Sequence, residues 1–121
     1  MQMNEMQFSE GVPVDGYGPG FFRIAGQVVQ GPICLGPTGL CAWRGYDNLD
    51  PLMALADAVD VIFVGTGAEI AFLPDPVRQC LAKASFGVEP MSSPAACRTY
   101  NVLLSEGRRV ALAALPVATG G

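Results

Sequence analysis

The segment Gly65-Thr66-Gly67 is a candidate anion-binding loop because it directly follows an apolar run, Val61–Val64. A glycine-rich turn at the carboxyl end of a parallel strand can bring backbone N–H groups to a phosphate or a carboxylate. A dinucleotide-binding fingerprint would place a third glycine at position 70, where Ile70 stands. The alternative interpretation is a tight turn that needs the positive φ glycine tolerates.

A second set of polar residues follows Ser93-Pro94, a dipeptide typical of a helix start. The first turn of such a helix presents N–H groups and the positive end of the helix dipole, and in a βαβ fold it would face the glycine-rich loop. Downstream polar residues follow at helical spacing, and a guanidinium among them suits a carboxylate or a phosphate. We therefore predict a ligand-binding site formed by Gly65, Thr66, Gly67, Ser93, Cys97, Arg98 and Asn101.

The same helix carries residues for which a structural role is the alternative. Tyr100 and Asn101 need hydrogen-bond partners if they are buried, and a loop carbonyl would serve. Thr99 would likewise fix neighbouring backbone. If Cys97 is exposed, the helix N-terminus and Arg98 would lower its pKa, whereas a buried Cys97 is a small apolar residue.

Catalytic chemistry is limited because the chain contains no histidine. This excludes Ser-His-Asp and Cys-His catalytic sets, and it excludes histidine metal ligands. The acidic residues are dispersed, and their spacing places no pair of carboxylates on one helical face. We therefore predict no catalytic residue, no metal site and no cofactor, with a histidine-free enzyme as the alternative.

Charge and cysteine content narrow the classes of partner and compartment. The net charge is −4, and the seven Lys and Arg residues are scattered, which argues against nucleic-acid binding.

The four cysteines form no C-x-x-C pair, and the polar start Met1–Glu5 lacks the basic region of a signal peptide. Reduced thiols in the cytoplasm are therefore expected. No apolar run reaches the ~20 residues of a membrane helix, so direct membrane insertion is not expected.

The length of the chain predicts a single domain over residues 1–121. Its first half is predicted to be rich in β-structure. Short apolar runs stopped by glycine or proline predict strands and hairpins. These runs are Phe21–Ile24, Gln27–Gln30, Ile33–Leu35 and Leu40–Trp43. Residues 11–20 are predicted to be an irregular loop. Its Tyr17, together with Phe21 and Phe22, either anchors a partner protein or covers one end of the core.

The second half alternates strands with helices. Val61–Val64 and Val110–Leu115 are continuously apolar, which predicts strands buried on both faces of a sheet. A weaker strand is predicted at Gly87–Pro90, and Gly107 is predicted to end the last helix. Helix starts are predicted at Asp50-Pro51, Asp75-Pro76 and Ser93-Pro94, with Asp or Ser as the cap and Pro in the first helical position. The resulting order is βαβαβ, which is typical of a largely parallel sheet.

The last third of the chain resembles a known family. Thr99–Val110 matches the family string T-Y-N-x-L-x-x-E-G-R-x-V throughout. Val61–Gly67 and Gly87–Ser93 precede it in the family's order, and Gly31-Pro32-Ile33 and Trp43 also fit, so the resemblance covers about residues 6–116. The chain is thus similar to the Mth938-like uncharacterised-domain family, whose members include a mitochondrial complex I assembly factor and an adipogenesis-associated protein. Many members have Asp-Thr in place of Ser92-Ser93, and both pairs can cap a helix.

The resemblance implies a three-layer α/β fold around a central mixed, largely parallel sheet, and no established reaction, cofactor or catalytic residue. It also implies action through protein partners. We therefore expect a non-enzymatic adaptor or assembly-type protein with a partner protein of unknown identity, linked to respiratory-complex or membrane-protein biogenesis. The alternative is a protein that binds a small anion, or a histidine-free enzyme, that uses the Gly65–Gly67 loop and the Ser93 helix N-terminus.

Overall fold

A computed structural model describes residues 11–117 of the chain. The start Met1–Glu5, which is not expected to be a signal peptide, lies outside the described residues. The described part contains eight strands and three helices. In chain order they are β1 (Val14–Gly18), β2 (Phe21–Ile24), β3 (Gln27–Gln30), β4 (Ile33–Gly36), β5 (Gly39–Cys41), α1 (Asp50–Met53), β6 (Val61–Gly65), α2 (Asp75–Leu81), β7 (Gly87–Met91), α3 (Ser93–Ser105) and β8 (Val110–Ala114).

Strands form at the four regions predicted in the first half, as β2 to β5, but β5 ends at Cys41, so the predicted Ala42 and Trp43 lie outside it. β2 pairs antiparallel with β3, and β4 pairs antiparallel with β5. The prediction of an irregular loop over residues 11–20 is wrong, because Val14–Gly18 forms β1 and pairs antiparallel with β2. Glycines at positions 16 and 18 hide this strand in the sequence, since glycine is depleted in strands. Its backbone is held instead by Asn101 of α3.

The central sheet has five strands in the order β5-β4-β8-β6-β7. β6 lies parallel to β7 and to β8, whereas β4 lies antiparallel to β8 and to β5. The sheet is therefore mixed, with a parallel βαβαβ half and an antiparallel hairpin half. β6 and β8 are inner strands, which confirms that Val61–Val64 and Val110–Leu115 are strand regions covered on both faces, with β8 ending at Ala114.

The two faces of this sheet are covered by different elements, which produces three layers. On one face, α3 and the three-stranded sheet β1-β2-β3 pack over Phe63 and Leu112. On the other face, α1 and α2 pack over Ile62 and Val64. Successive residues of β6 therefore enter opposite cores, as the alternation of side chains along a strand requires.

Helix capping differs from the prediction by one residue. α3 is capped by Ser92, whose Oγ accepts a hydrogen bond from the Ala95 N–H at 3.4 Å. Asp50 and Asp75 are instead the first residues of α1 and α2, and neither makes a side-chain cap hydrogen bond. The predicted caps Asp50, Asp75 and Ser93 are therefore wrong. Each proline follows within the first turn, where its missing N–H leaves no helical bond unmade.

The C-terminus of α3 agrees with the prediction that Gly107 ends the helix. Gly107 has a φ of +81°, and its N–H donates to the Leu104 carbonyl at 3.0 Å. The Arg108 N–H donates to the Leu103 carbonyl, also at 3.0 Å. These bonds satisfy the last carbonyls of the helix and turn the chain into β8.

The helices of residues 11–117 are short or carry polar faces. None of them combines the length and the apolar composition that crossing a bilayer requires.

Candidate functional site

The glycine-rich loop and the N-terminus of α3 meet at the end of β6. A Cβ built on Gly65 would lie 2.6 Å from Ser93 Oγ and 2.8 Å from Ser93 Cα. Both distances are too short for a real Cβ, so a glycine is needed for the strand end and the helix start to approach this closely. Gly67 has a φ of +112°, which is the geometry that a tight turn at this point requires.

Ser93 is almost completely buried, with 1% of its surface exposed, and it joins three segments of the chain. Its backbone N–H donates to the Gly67 carbonyl at 2.7 Å, and its Oγ accepts a hydrogen bond from the Gly67 N–H at 3.0 Å. The same hydroxyl donates to the Leu115 carbonyl. The Leu115 N–H in turn donates to the Gly65 carbonyl at 2.9 Å. We call Gly65, Thr66, Gly67, Ser93 and Leu115 the Ser93 junction.

Thr66 completes the Ser93 junction with bonds on both sides of the loop. Its backbone N–H donates to the Met91 carbonyl at 2.8 Å, and its hydroxyl donates to the Glu69 carbonyl at 2.7 Å. The hydroxyl also accepts a hydrogen bond from the Ala71 N–H at 3.0 Å. To bind an anion, the N–H groups of Thr66 and Gly67 would have to face it. Both groups already donate hydrogen bonds within the chain. Ligand binding at this loop stays a prediction, and it would require these bonds to be exchanged.

The polar side chains predicted to line α3 have different surroundings. Cys97 is 4% exposed in the core between α3 and the sheet, and burial raises the pKa of its thiol to about 11. The exposure that a lowered pKa requires is therefore absent. Arg98 is exposed to solvent, whereas Asn101 is directed at β1. The structure does not bring these three side chains to one surface beside Ser93.

Tyr100 and Asn101 attach β1 and the residues before it to α3. Tyr100 is fully buried, and its hydroxyl donates to the Val12 carbonyl at 2.8 Å. Asn101 Oδ1 accepts from the Val14 N–H at 2.9 Å, and Asn101 Nδ2 donates to the Val14 carbonyl at 2.8 Å. The amide of Asn101 thus pairs with the strand backbone as a neighbouring strand would. Thr99, between Arg98 and Tyr100 in the chain, is half-buried.

Burial also explains the protonation state of Tyr100. Loss of water around the phenol raises its pKa, because the charged form is poorly solvated in the core. The hydroxyl therefore stays protonated and donates to Val12. These contacts favour the structural interpretation of Tyr100 and Asn101 over a role in a ligand site.

An apolar groove lies on the opposite face of the sheet, between α2, β7 and the segment that joins β6 to α2. It encloses about 670 Å³, and Arg78 is the one charged residue in its lining. Leu81 and Phe86 are buried within it, whereas Phe72 is fully exposed and Ile70 is 69% exposed. The groove is lined by Ile70, Ala71, Phe72, Leu73, Arg78, Leu81, Ala82, Phe86, Val88 and Pro90. Exposed large apolar side chains beside a concave surface are typical of binding sites.

β7 forms one wall of the apolar groove and is an edge strand of the central sheet. The Gly87 N–H donates to the Asp60 carbonyl, and the Met91 carbonyl accepts from the Thr66 N–H, both at 2.8 Å. Because bonding residues alternate along a parallel pair, Val88 and Pro90 direct their backbone groups away from β6. The open edge therefore offers the N–H and C=O of Val88 and the C=O of Pro90.

The aromatic residues predicted either to bind a partner or to cover the core occupy different positions. Phe22 is fully buried in the core beneath α3, which fits the core-covering alternative. Phe21 is half-buried, and Tyr17 is 48% exposed on β1. The three residues thus do not form one exposed aromatic surface.

The apolar groove was not predicted from the sequence. Residues 70–73 form a wholly apolar run that belongs to neither a strand nor a helix, and this run was the available signal. Within residues 11–117, no three Cys, Asp or Glu side chains are grouped closely enough to hold a metal ion.

Comparisons with known proteins show the relatives of this chain. A family described as protein of unknown function (DUF498/DUF598) matches residues 14–115. An uncharacterised protein of Rhodobacter capsulatus is 48% identical over 117 residues, which cover 97% of this chain and 94% of the relative. NADH dehydrogenase (ubiquinone) 1 alpha subcomplex assembly factor 3 of Danio rerio is 31% identical over 123 residues, which cover 96% of this chain and 71% of the relative.

Solved structures share the fold described above. A crystal structure described as an outer membrane protein from Bartonella henselae has a TM-score of 0.81 and 33% identity, covering 91% of this chain and 98% of that chain. The solution NMR structure of a Bordetella pertussis protein described as a Mth938-like domain has a TM-score of 0.69 and 31% identity, covering 88% and 87% of the two chains. This chain therefore belongs to the DUF498/DUF598 family of proteins of unknown function and has the fold of a Mth938-like domain.

Proposed function

We propose that this chain is a non-enzymatic assembly-type protein that binds a partner protein through the apolar groove and the open edge of β7. The observation that carries the proposal is the full exposure of Phe72 beside a concave apolar surface. When a partner covers water-exposed apolar groups of this size, the free energy of the system falls, which favours binding. The assembly-type role is supported by the relative from Danio rerio, which is named an assembly factor.

The partner segment that fits this surface is extended and carries apolar side chains. A strand added beside β7 would bond to the N–H and C=O of Val88, while its alternate side chains enter the groove. Pro90 offers no N–H, so the pairing would be short. Arg78 is the one charged residue in the lining, and its Nη2 lies 3.0 Å from Asp75 Oδ1. The Asp75 carboxylate balances this charge, so an uncharged apolar segment suits the groove best.

The proposal extends to respiratory-complex or other membrane-protein biogenesis, in which the chain would act as an adaptor in the cytoplasm. Support for the pathway comes from the name of the Danio rerio relative, which refers to NADH dehydrogenase. Support for the compartment comes from the cysteines, all four of which lie in the described residues as free thiols. The domain proposed to act in this way comprises residues 1–121.

Affinity purification from the cells that encode this chain tests the proposal. The wild-type chain is expected to co-purify respiratory-complex subunits, and Phe72→Ser is expected to lower their recovery by about tenfold or more. Because the Phe72 side chain is exposed, this substitution should leave the fold intact. Val102→Ser removes an apolar side chain that is 50% exposed on α3, and this control should keep the partner.

Two outcomes would count against the proposal. Equal recovery of the same partner by the wild type and Phe72→Ser would show that the groove is not the binding surface. Recovery of a partner that belongs to no membrane complex would remove the link to biogenesis while leaving the groove as a binding surface.

The alternative function, binding of a small anion or histidine-free catalysis at the Ser93 junction, has less support. The N–H groups of Thr66 and Gly67 are already donated to Met91 and Ser93. A thermal-shift assay with phosphate and small carboxylates separates the two functions. A ligand at a hundred times its Kd would add about 2.7 kcal/mol of stability, whereas we expect no shift.

A further inference from the structure

Cys34 and Cys41 lie directly opposite each other in the hairpin formed by β4 and β5. Opposed residues of an antiparallel pair point to the same face of the sheet, with Cα atoms about 4.5–5.5 Å apart. This range lies within the roughly 4.4–6.8 Å that a disulfide bridges. Small side-chain movements would therefore bring the sulfur atoms to bonding distance.

The two thiols differ in their access to solvent. Cys34 is fully buried on β4, whereas Cys41 is partly exposed on β5, an edge strand of the central sheet. A small oxidant would therefore reach Cys41 first. Cys80 and Cys97 lie in α2 and α3, so neither belongs to this hairpin.

We propose that Cys34 and Cys41 form a thiol-oxidation site that closes to an intramolecular disulfide when the protein meets hydrogen peroxide. The Cys41 thiolate attacks one peroxide oxygen, an S–O bond forms, the O–O bond breaks and hydroxide leaves. The Cys34 sulfur then attacks the Cys41 sulfur, the S–S bond forms and the S–O bond breaks. Both hydroxides take up the thiol protons. Two thiols thus lose two electrons and two protons, and peroxide becomes two molecules of water.

The disulfide would fasten β5 to β4 at the edge of the sheet opposite β7. This site is separate from the apolar groove, and its chemistry does not depend on the proposed partner. Cys34 lies in the same core cluster as Trp43, with Cys41 packed against it. Formation of the disulfide is therefore expected to affect the packing of this core as well as the hairpin.

Mass spectrometry of the full chain after treatment with hydrogen peroxide tests the proposal. Trypsin cleaves after Arg23 and Arg44, so both cysteines fall on the peptide 24–44, separate from Cys80 and Cys97. This peptide is expected to lose about 2 Da, the mass of two hydrogen atoms, and to resist alkylation until dithiothreitol is added. Cys80→Ser is the matched control and should still show the same loss.

Cys41→Ser should abolish the mass loss, and because Cys41 is only partly buried this variant is expected to fold. Cys34→Ala should divert oxidation to the sulfenic and sulfinic acids of Cys41. Oxidation of wild-type Cys41 to the sulfinic acid, a gain of about 32 Da with Cys34 still open to alkylation, would overturn the proposal. A covalent dimer through Cys41, or an unchanged 24–44 peptide, would overturn it as well.

Discussion

The contact between Gly65 and Ser93 joins the end of an inner strand to the start of the longest described helix. A side chain on Gly65 would occupy the place of Ser93 Oγ, since its Cβ would lie 2.6 Å from that atom. Ser93 also binds the Leu115 carbonyl, so the ends of β6 and β8 and the first turn of α3 are fixed to one another. Gly65 and Ser93, both predicted to belong to a ligand site, thus set the geometry of the parallel half of the sheet.

Gly65→Ala is expected to lower the free energy of unfolding by about 1–3 kcal/mol, because the new methyl group collides with Ser93. The collision involves the Ser93 Cα at 2.8 Å, so a side-chain rotation cannot relieve it. Denaturant titration measures the effect. Gly16→Ala is the matched control, since a Cβ there meets no heavy atom within 4 Å and should change stability by less than about 0.5 kcal/mol. Equal stabilities of the two variants would contradict the close approach.

Ser93→Ala is expected to cost about 1–3 kcal/mol of stability. Its hydroxyl accepts from the Gly67 N–H and donates to the Leu115 carbonyl, and both groups would lose this partner in a buried place. Ser105→Ala provides the control, because Ser105 is exposed and its hydroxyl bonds only within α3, to the Val102 carbonyl. Thermal unfolding of the two variants checks the difference. A stable Ser93→Ala variant would show that water replaces the hydroxyl.

The fold was predictable where a short range of residues carries the whole signal. Val61–Val64 is apolar at every position because both faces of β6 are covered, and this pattern alone indicates an inner strand. Strand β1 is not predictable from its own residues, because the contacts that stabilise it come from outside the segment. Its pairing with β2 and the amide of Asn101, 87 positions after Val14, hold a stretch with two glycines.

The sites were less predictable because they depend on distant residues coming together. The sequence indicates that Tyr100 needs a hydrogen-bond partner, but the partner, Val12, is 88 positions away. The apolar groove combines the apolar run 70–73 with parts of α2 and β7, and the run alone does not indicate which segments lie beside it. Cys34 and Cys41 become neighbours only through the exact register of their hairpin, in which Gly36 pairs with Gly39.

Asn101→Leu is expected to speed hydrogen exchange at the Val14 amide, because Asn101 Oδ1 is the acceptor of that N–H. Leucine has a similar size and favours helix, so the change removes the hydrogen bonds while leaving α3 intact. The global loss of stability should be about 1–3 kcal/mol. Asn48→Leu is the control, because the exposed Asn48 accepts from the Asp50 N–H at the start of α1. Faster exchange at Val14 in both variants would indicate general loosening instead of a lost contact.

Stability is expected to fall as the pH rises above about 9. Burial raises the pKa of the Cys97 thiol from 9.0 to about 11, so the folded state holds this proton more tightly than the unfolded state. The resulting stabilisation is complete below pH 9 and is lost between pH 9 and 11. Burial also raises the pKa values of Cys34 and Tyr100, which adds to the loss in the same direction.

Urea titrations between pH 7 and 11 measure this dependence. Cys97→Ala should flatten the decline, since the buried thiol no longer has to hold its proton, whereas Cys80→Ala removes a thiol outside that core and should keep the wild-type slope. In the same wild-type protein at neutral pH, iodoacetamide should modify Cys97 only on the time scale of unfolding, because the side chain is buried and protonated. Rapid labelling of folded Cys97, or a stability that stays constant to pH 11, would show that the thiol is exposed to water and that α3 packs less tightly on the sheet than its contacts indicate.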